Sequence, residues 1–351
     1  MRHLWLVCRS LRVFINNSNM ATIVPYTFEK KEDSAIYYTS FVKGMKVLIA
    51  TEKPFAAAAV NGIVEILEGA GHTVVRLEKY TDKTQLLDAV VDVDALIVRS
   101  DKVTAEVIAA AQNLKIVVRA GAGYDNVDCA AAKARDIVVM NTPGQNSNAV
   151  AELAIAMMIF MSRNCFNPGT GCEIKGKTLA IHAYGNVGRL VGCKGKALGM
   201  NVIAYDPFVC DCSVFECDGV EKVDSIEELY RRADFLSLHI PATEQTKGSI
   251  GYELISSMPK GATLVNTARK EVIDEAGLCK ALAERQDLKY VSDVAPDCCA
   301  DLCNCAGKRY FATPKKMGAE TAEANINAGL AAARQIVDFF ATGNRRFQVN
   351  K

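Results

Sequence analysis

Two successive series of short β-branched runs, each run set off from the next by a stretch of helical length, constrain this chain more than any other feature of it. The first series reads Lys46-Val-Leu-Ile-Ala-Thr51, His72-Thr-Val-Val-Arg-Leu77, Ala95-Leu-Ile-Val-Arg-Ser100, Ile116-Val-Val-Arg-Ala120 and Ile137-Val-Val-Met-Asn141. The second reads Thr178-Leu-Ala-Ile-His-Ala183, Asn201-Val-Ile-Ala-Tyr-Asp206, Asp234-Phe-Leu-Ser-Leu-His-Ile240, Ala262-Thr-Leu-Val-Asn-Thr-Ala268 and Leu288-Lys-Tyr-Val-Ser-Asp-Val294. Strands alternating with helices in this way build parallel sheets whose two faces are covered by the helices. Ala, Val, Ile and Leu dominate, as strands buried on both faces require. Each series suffices for one doubly wound α/β domain, and 351 residues exceed what a single core usually supports.

A helix is expected between the series, over roughly Ala149 to Arg163, with Ser147 or Asn148 as its cap. It is apolar almost all round, which implies burial between domains or against another subunit. Asn167-Pro-Gly-Thr-Gly171 breaks the pattern and reads as a connection. After Pro314 a last helix, about Ala319 to Thr342, packs most simply back on the first domain, because loops in such domains are short. The expected organisation is therefore residues 45–145 and 319–351 as one domain, 146–318 as a second inserted into it, and 1–44 as an extension.

Charge excludes some partners. With 41 basic residues against 40 acidic ones, neither a nucleic-acid nor an anionic-membrane surface is expected. No apolar run reaches the length of a membrane-spanning helix. The 13 cysteines lie in a long chain without a secretory signal, so free thiols and a cytoplasmic location are expected. Met1 to Met20 carries Arg2, Arg9 and Arg12 and no acidic residue, which leaves an organelle-targeting peptide as the alternative. The expected reading of that segment is an upstream extension, with Met20 or Met45 as the beginning.

The second series opens on a dinucleotide fingerprint. Tyr184, Gly185, Asn186, Val187 and Gly188 follow a strand and precede a helix, with Gly185 and Gly188 on the second and third glycines and Ala183 in place of the first. The second glycine admits the pyrophosphate, the third lets helix and strand pack closely, and the helix N-terminus faces the phosphates. Asp206 ends the next strand, where a carboxylate accepts from the ribose hydroxyls of NAD and repels the extra phosphate of NADP.

Val98-Arg-Ser100, Gly121-Ala-Gly-Tyr-Asp-Asn-Val-Asp128, Asn146 with Val150-Ala-Glu152, Tyr205-Asp-Pro207, Leu238-His-Ile-Pro241, Asn266-Thr-Ala-Arg269 and Thr313-Pro314 stand in an order and spacing that resembles the D-isomer-specific 2-hydroxyacid dehydrogenases, over about Met45 to Thr342. The resemblance implies a Rossmann NAD-binding domain inserted into a flavodoxin-like substrate domain. It implies that Arg269 binds the substrate carboxylate and C2 oxygen, a task suited to a planar guanidinium. It implies further cofactor contacts at His239, Pro241, Thr267, Ala268 and Asp293. Substrate contacts are implied at Arg99, Ser100, Gly121, Ala122, Gly123 and Asn146, and a homodimer through the helix near Ala149 to Arg163.

The sequence departs from the family at the acid–base pair. A lysine, Lys315, follows Thr313-Pro314 where relatives carry histidine, and Cys298 stands where the supporting glutamate belongs. Lys270 replaces the glycine after the arginine. The joint loss is coherent, since a carboxylate beside a lysine would lock the amine in its charged form. Both changes resemble a lysine-using branch that oxidises D-3-phosphoglycerate to 3-phosphohydroxypyruvate, the first step of serine biosynthesis. Lys315 is then the expected acid–base residue, with Lys316 as the competing candidate. Lowering a lysine from about 10.4 to about 8 costs roughly 3 kcal/mol, and a neighbouring Arg269 and burial both push that way.

Alternatives of other kinds stay open: a glycerate or hydroxypyruvate dehydrogenase, or a corepressor that senses NAD and binds peptides. No appended regulatory domain is expected after Thr342. No metal is expected either, because the thiols of Cys298 to Cys305 lack zinc-type spacing and read as reactive, unligated loop thiols. Cys210, Cys212 and Cys217 read the same way, and His182 as a satisfied core residue.

Overall fold

The computed structural model describes residues 44–351, together with the backbone of β1 (Leu6–Cys8), β2 (Leu11–Ile15) and β3 (Ala21–Ile23), which pair antiparallel in a small sheet. Residues 1–43 and 44–351 form separate compact units. The choice between targeting peptide and extension for Met1 to Met20 concerns a segment that, apart from the backbone of β1 and β2, lies outside the described residues.

The first series forms a five-stranded parallel sheet: β4 (Lys46–Thr51), β5 (Thr73–Glu78), β6 (Ala95–Val98), β7 (Ile116–Arg119) and β8 (Val138–Asn141). Their spatial order is β5-β4-β6-β7-β8, the flavodoxin-like order. The second series forms a seven-stranded parallel sheet from β9 (Thr178–His182), β10 (Asn201–Tyr205), β11 (Glu221–Lys222), β12 (Phe235–Leu238), β13 (Thr263–Asn266), β14 (Lys289–Ser292) and β15 (Tyr310–Ala312). Their order, β11-β10-β9-β12-β13-β14-β15, reverses direction between β9 and β12, the switch point where open α/β sheets bind ligands. β11 and β15 went unpredicted because the first is two polar residues and the second three residues at the sheet edge.

The final helix, Ala322–Thr342, packs on the first sheet. Ala328, Ala332, Ala333 and Ile336 belong to the same buried cluster as Val47, Ile49, Ile97 and Val118. The tail beyond it also serves that sheet: the Asn350 side chain accepts from Val139 N (2.9 Å) and donates to Ile137 O (2.8 Å), so it mimics a further strand on β8.

The crossing helix between the sheets is Ser147–Ser162. Neither expected cap operates. Asn146 occupies the N-cap without a side-chain bond, and Asn148 bonds Glu152 and Lys194 instead, because the helix starts two residues early. Its Ala151, Ala154, Met157, Met158 and Met161 pack into the core of the second sheet with Leu179, Ile181 and Val265.

Candidate active site

The turn after β9 departs from ordinary backbone. Ala183 is held at φ +76°, the left-handed region that the first fingerprint glycine normally supplies. The helix Asn186–Ala197 follows at once, with Gly185 as an N-cap that offers no side-chain bond, which leaves its first amides free for an anion. A Cβ on Gly188 would meet Ala183 O at 2.3 Å, so helix and strand pack as closely as the fingerprint demands, whereas a Cβ on Gly185 would meet nothing within 4 Å. That open space lies where a pyrophosphate would sit. Tyr184 turns its ring inward, stacked on Phe215 and donating to Asp218 Oδ2 (3.0 Å), and gives only its backbone to the turn.

Asp206 is buried at the end of β10. Its Oδ2 accepts from Tyr184 N (2.8 Å) and its Oδ1 from Phe208 N (2.9 Å), which fixes the carboxylate and leaves lone pairs for two further donors. Thr267, after β13, has a buried hydroxyl with no partner. An orphan of this kind at a strand end fits a ligand that supplies the missing hydrogen bond. His239 is tied to Ser237 Oγ (2.9 Å), Pro241 is exposed, and Val187 is half-buried at the helix start. These residues fit NAD. A cavity of about 600 Å³ opens along the outer face of the helix, from Asn186 past Arg189 and Cys193 to Asp218, and meets this site only at Asn186.

Opposite, Asn266 shapes the turn that carries the arginine. Its amide donates to Arg269 O (2.9 Å) and its Oδ1 accepts from Ala268 N (3.0 Å). Arg269 then extends toward the loop after β7: a Cβ on Gly123 would lie 3.4 Å from both its Nη2 and Asp125 Oδ2. The two sheets thus meet at this arginine.

Two further arginines converge there. Arg99, after β6, donates to Lys53 O (3.3 Å), Pro54 O (3.2 Å) and Asn325 Oδ1, and lies over the Phe55 ring. Arg119, which sequence reading passed over as the end of a strand, donates through Nε to Arg99 O (2.9 Å). Gly121, at φ +153°, makes room for it, since a Cβ there would fall 1.5 Å from Arg119 Nη1. The Arg119 guanidinium is held below its ordinary value by burial, and by the like charges of Arg99 and Arg269 against the single opposing charge of Asp125. Ser100 and Ala122 are exposed, with Ala122 O accepting from Asn141 Nδ2 (2.6 Å), and Asn146 is half-buried.

The structure separates the two lysines. Lys315 is exposed and makes no hydrogen bond among the described residues. Lys316 Nζ donates to Ala268 O (3.0 Å), next to Arg269. Lys316 is exposed as well, so this hydrogen bond, not exposure, tells the two lysines apart. Burial, with the Arg269 guanidinium beside it, brings the amine down to about 8 against the pull of Asp293, Glu271 and Asp125. Nothing in the sequence alone distinguishes adjacent lysines.

The cysteine cluster is not a loop. Cys299–Ala306 is a helix, and burial pushes the Cys298 thiol up, assisted by its neighbours Cys279 and Glu275. Glu275 accepts from Asp297 N (2.9 Å) and Cys298 N (2.7 Å). Among the described residues no group of three or more His, Cys, Asp or Glu is placed to hold a metal ion, and no helix is long and apolar enough to cross a membrane.

Residues 157–298 match the model of the D-isomer specific 2-hydroxyacid dehydrogenase NAD-binding domain. The chain is 39% identical over 288 residues to the D-3-phosphoglycerate dehydrogenase of Methanocaldococcus jannaschii, which covers 78% of this chain and 54% of that one. It spans about half the length of the curated phosphoglycerate dehydrogenases it matches. It is 37% identical over 278 residues to the hydroxypyruvate reductase of Thermotoga maritima, covering 74% of this chain and 88% of that one. Among solved structures, the NAD+-bound 3-phosphoglycerate dehydrogenase of Entamoeba histolytica superposes with a TM-score of 0.78 at 52% identity, over 88% of this chain and 99% of that one.

Proposed function

This chain belongs to the D-isomer specific 2-hydroxyacid dehydrogenases, and from that premise we propose that it oxidises D-3-phosphoglycerate to 3-phosphohydroxypyruvate. The observation that carries the substrate is the convergence of Arg99, Arg119, Arg269 and Lys316 on one cleft, with Asp125 facing Arg119 and Asp125, Asp293 and Glu271 facing Lys316. Like charges this close are costly unless matched, and a substrate bearing a carboxylate and a phosphate matches them. Arg269 takes the carboxylate and C2 oxygen, and the Arg99–Arg119 pair takes the phosphate.

Bound NAD supplies the hydride acceptor. The chain's own task is the proton: a neutral Lys316 amine accepts it from the C2 hydroxyl, and its ammonium returns it to the ketone in the reverse reaction. With the amine at about 8, oxidation rises with pH through that value because only the deprotonated form accepts. Lys315 is the alternative base, and the two single alanine variants decide between them.

Hydroxypyruvate or glycerate chemistry is the second reading, favoured by the relative from Thermotoga maritima. Steady-state rates separate it. Arg119→Met is expected to lose about 2 to 3 kcal/mol, roughly 30- to 150-fold, in kcat/KM for 3-phosphoglycerate and little for D-glycerate. Equal losses on both substrates would defeat the phosphate assignment. The chain is further proposed to pair with a second copy at the end of the crossing helix. There Phe166 is 70% exposed and packs edge-on against Phe160, itself packed on Phe311. Sedimentation of Phe166→Asp as a monomer beside a dimeric parent checks this.

A further inference from the structure

Asp293 follows β14, is 2% exposed, and spends its carboxylate on one loop. Its Oδ1 accepts from Thr313 Oγ1 (2.9 Å) and Met317 N (2.7 Å), and its Oδ2 from Gly318 N (2.7 Å). Those donors bracket Lys316. The backbone of Asp293 is anchored in turn, donating to Asn266 O (2.9 Å), and Asn266 is the residue that sets the Arg269 turn. Thr313 N also donates to Ser292 O (3.0 Å), so the loop is pinned at its start as well. Gly318 is close to necessary in this arrangement, since a Cβ there would lie 2.8 Å from Asp293 Oδ2 and 3.2 Å from Val150 Cγ2.

We infer that Asp293 is a positioning residue: it clamps residues 313–318 so that the Lys316 amine is delivered to Ala268 O beside Arg269. The inference rests on the reading of Lys316 as the proton carrier. A carboxylate suits the task because it only accepts, and three donors converge on it; an amide would turn its own N–H groups toward some of them. The same residue also acts through its charge. Lys316 is faced by Arg269, Asp293, Glu271 and Asp125, and the Asp293 carboxylate favours the ammonium.

The two roles predict opposite results. If Asp293 acts through charge alone, Asp293→Asn drops the Lys316 pKa below about 8. If it is a clamp, the loop frees the amine into water, and the value climbs by about one pH unit or more toward the ordinary 10.4 or so. The readout needs no turnover: the full chain is labelled with trace acetic anhydride across a pH series, and acetylation of Lys316 is followed by peptide mass spectrometry. Gly318→Ala, which keeps every charge and pushes the loop off Asp293, is expected to raise the inflection in the same direction, and Thr313→Val by less. An inflection that falls or stays put in both Asp293→Asn and Gly318→Ala overturns the clamp. Should Asp293→Asn fail to fold, Gly318→Ala alone decides. Lys316→Ala with undiminished turnover would remove the proton role but leave the labelling result intact, so the two failures are distinguishable.

Discussion

Lys316 and Ala183 show what single positions tolerate when their surroundings insist. An ammonium crowded by protein and by the Arg269 guanidinium gives up its proton near 8, so the kcat of oxidation is expected to rise through that pH and level off above it. Lys316→Ala is expected to lower kcat by about 10² to 10⁴, the usual worth of a general base. A Lys315→Ala variant with the same loss would move the role back to Lys315. Ala183 holds a left-handed backbone that costs an alanine roughly 1 kcal/mol or more. Ala183→Gly relieves that strain but gains freedom in the unfolded chain. It should stabilise by about 0.5 to 1 kcal/mol in urea unfolding, and a destabilised variant would show that the turn is not strained.

Elements here depend on partners distant in sequence. β8 is an edge strand of its sheet, and the Asn350 amide satisfies both Val139 N and Ile137 O, more than 200 positions earlier. Asn350→Ala leaves a buried donor and acceptor without partners and is expected to cost about 2 kcal/mol. Unchanged unfolding midpoints would mean that the tail merely rests on the sheet. The Asn266 turn and the 313–318 loop follow the same logic, since each is shaped by one buried polar side chain rather than by its own propensity.

The whole molecule carries a pH liability separate from its chemistry. His182 is buried in β9 under Tyr205 and Tyr230, and burial lowers it to about 4 against the pull of Asp206. The unfolded chain binds that proton at an ordinary 6.5 and the folded chain does not, so stability is complete above 6.5 and declines as pH falls toward 4. The loss amounts to about 3 kcal/mol at about 1.4 per pH unit. Urea midpoints for the parent and for His182→Gln between pH 7 and 4.5 check it, because the variant should lose part of the slope while His239, also held low by burial, keeps its own. Acid loss of activity through Lys316 begins higher, near 8, so activity and stability should part company over this range.

Read alone, the chain determined the alternation of strand and helix, five strands of each sheet, and the turn after β9 that carries Gly185 and Gly188, with Asp206 and Arg269 just beyond strand ends. All of these are local patterns, written in the period of apolar residues or in the residues of one turn. Tertiary structure decided that the Lys316 amine bonds Ala268 O, that the Arg119 side chain at the end of β7 lies beside Arg99 and Arg269, and that the Asp293 carboxylate accepts from the 313–318 loop. The reason is the same in each case. A side chain's direction and charge state are fixed by groups tens or hundreds of positions away, and no local pattern records them.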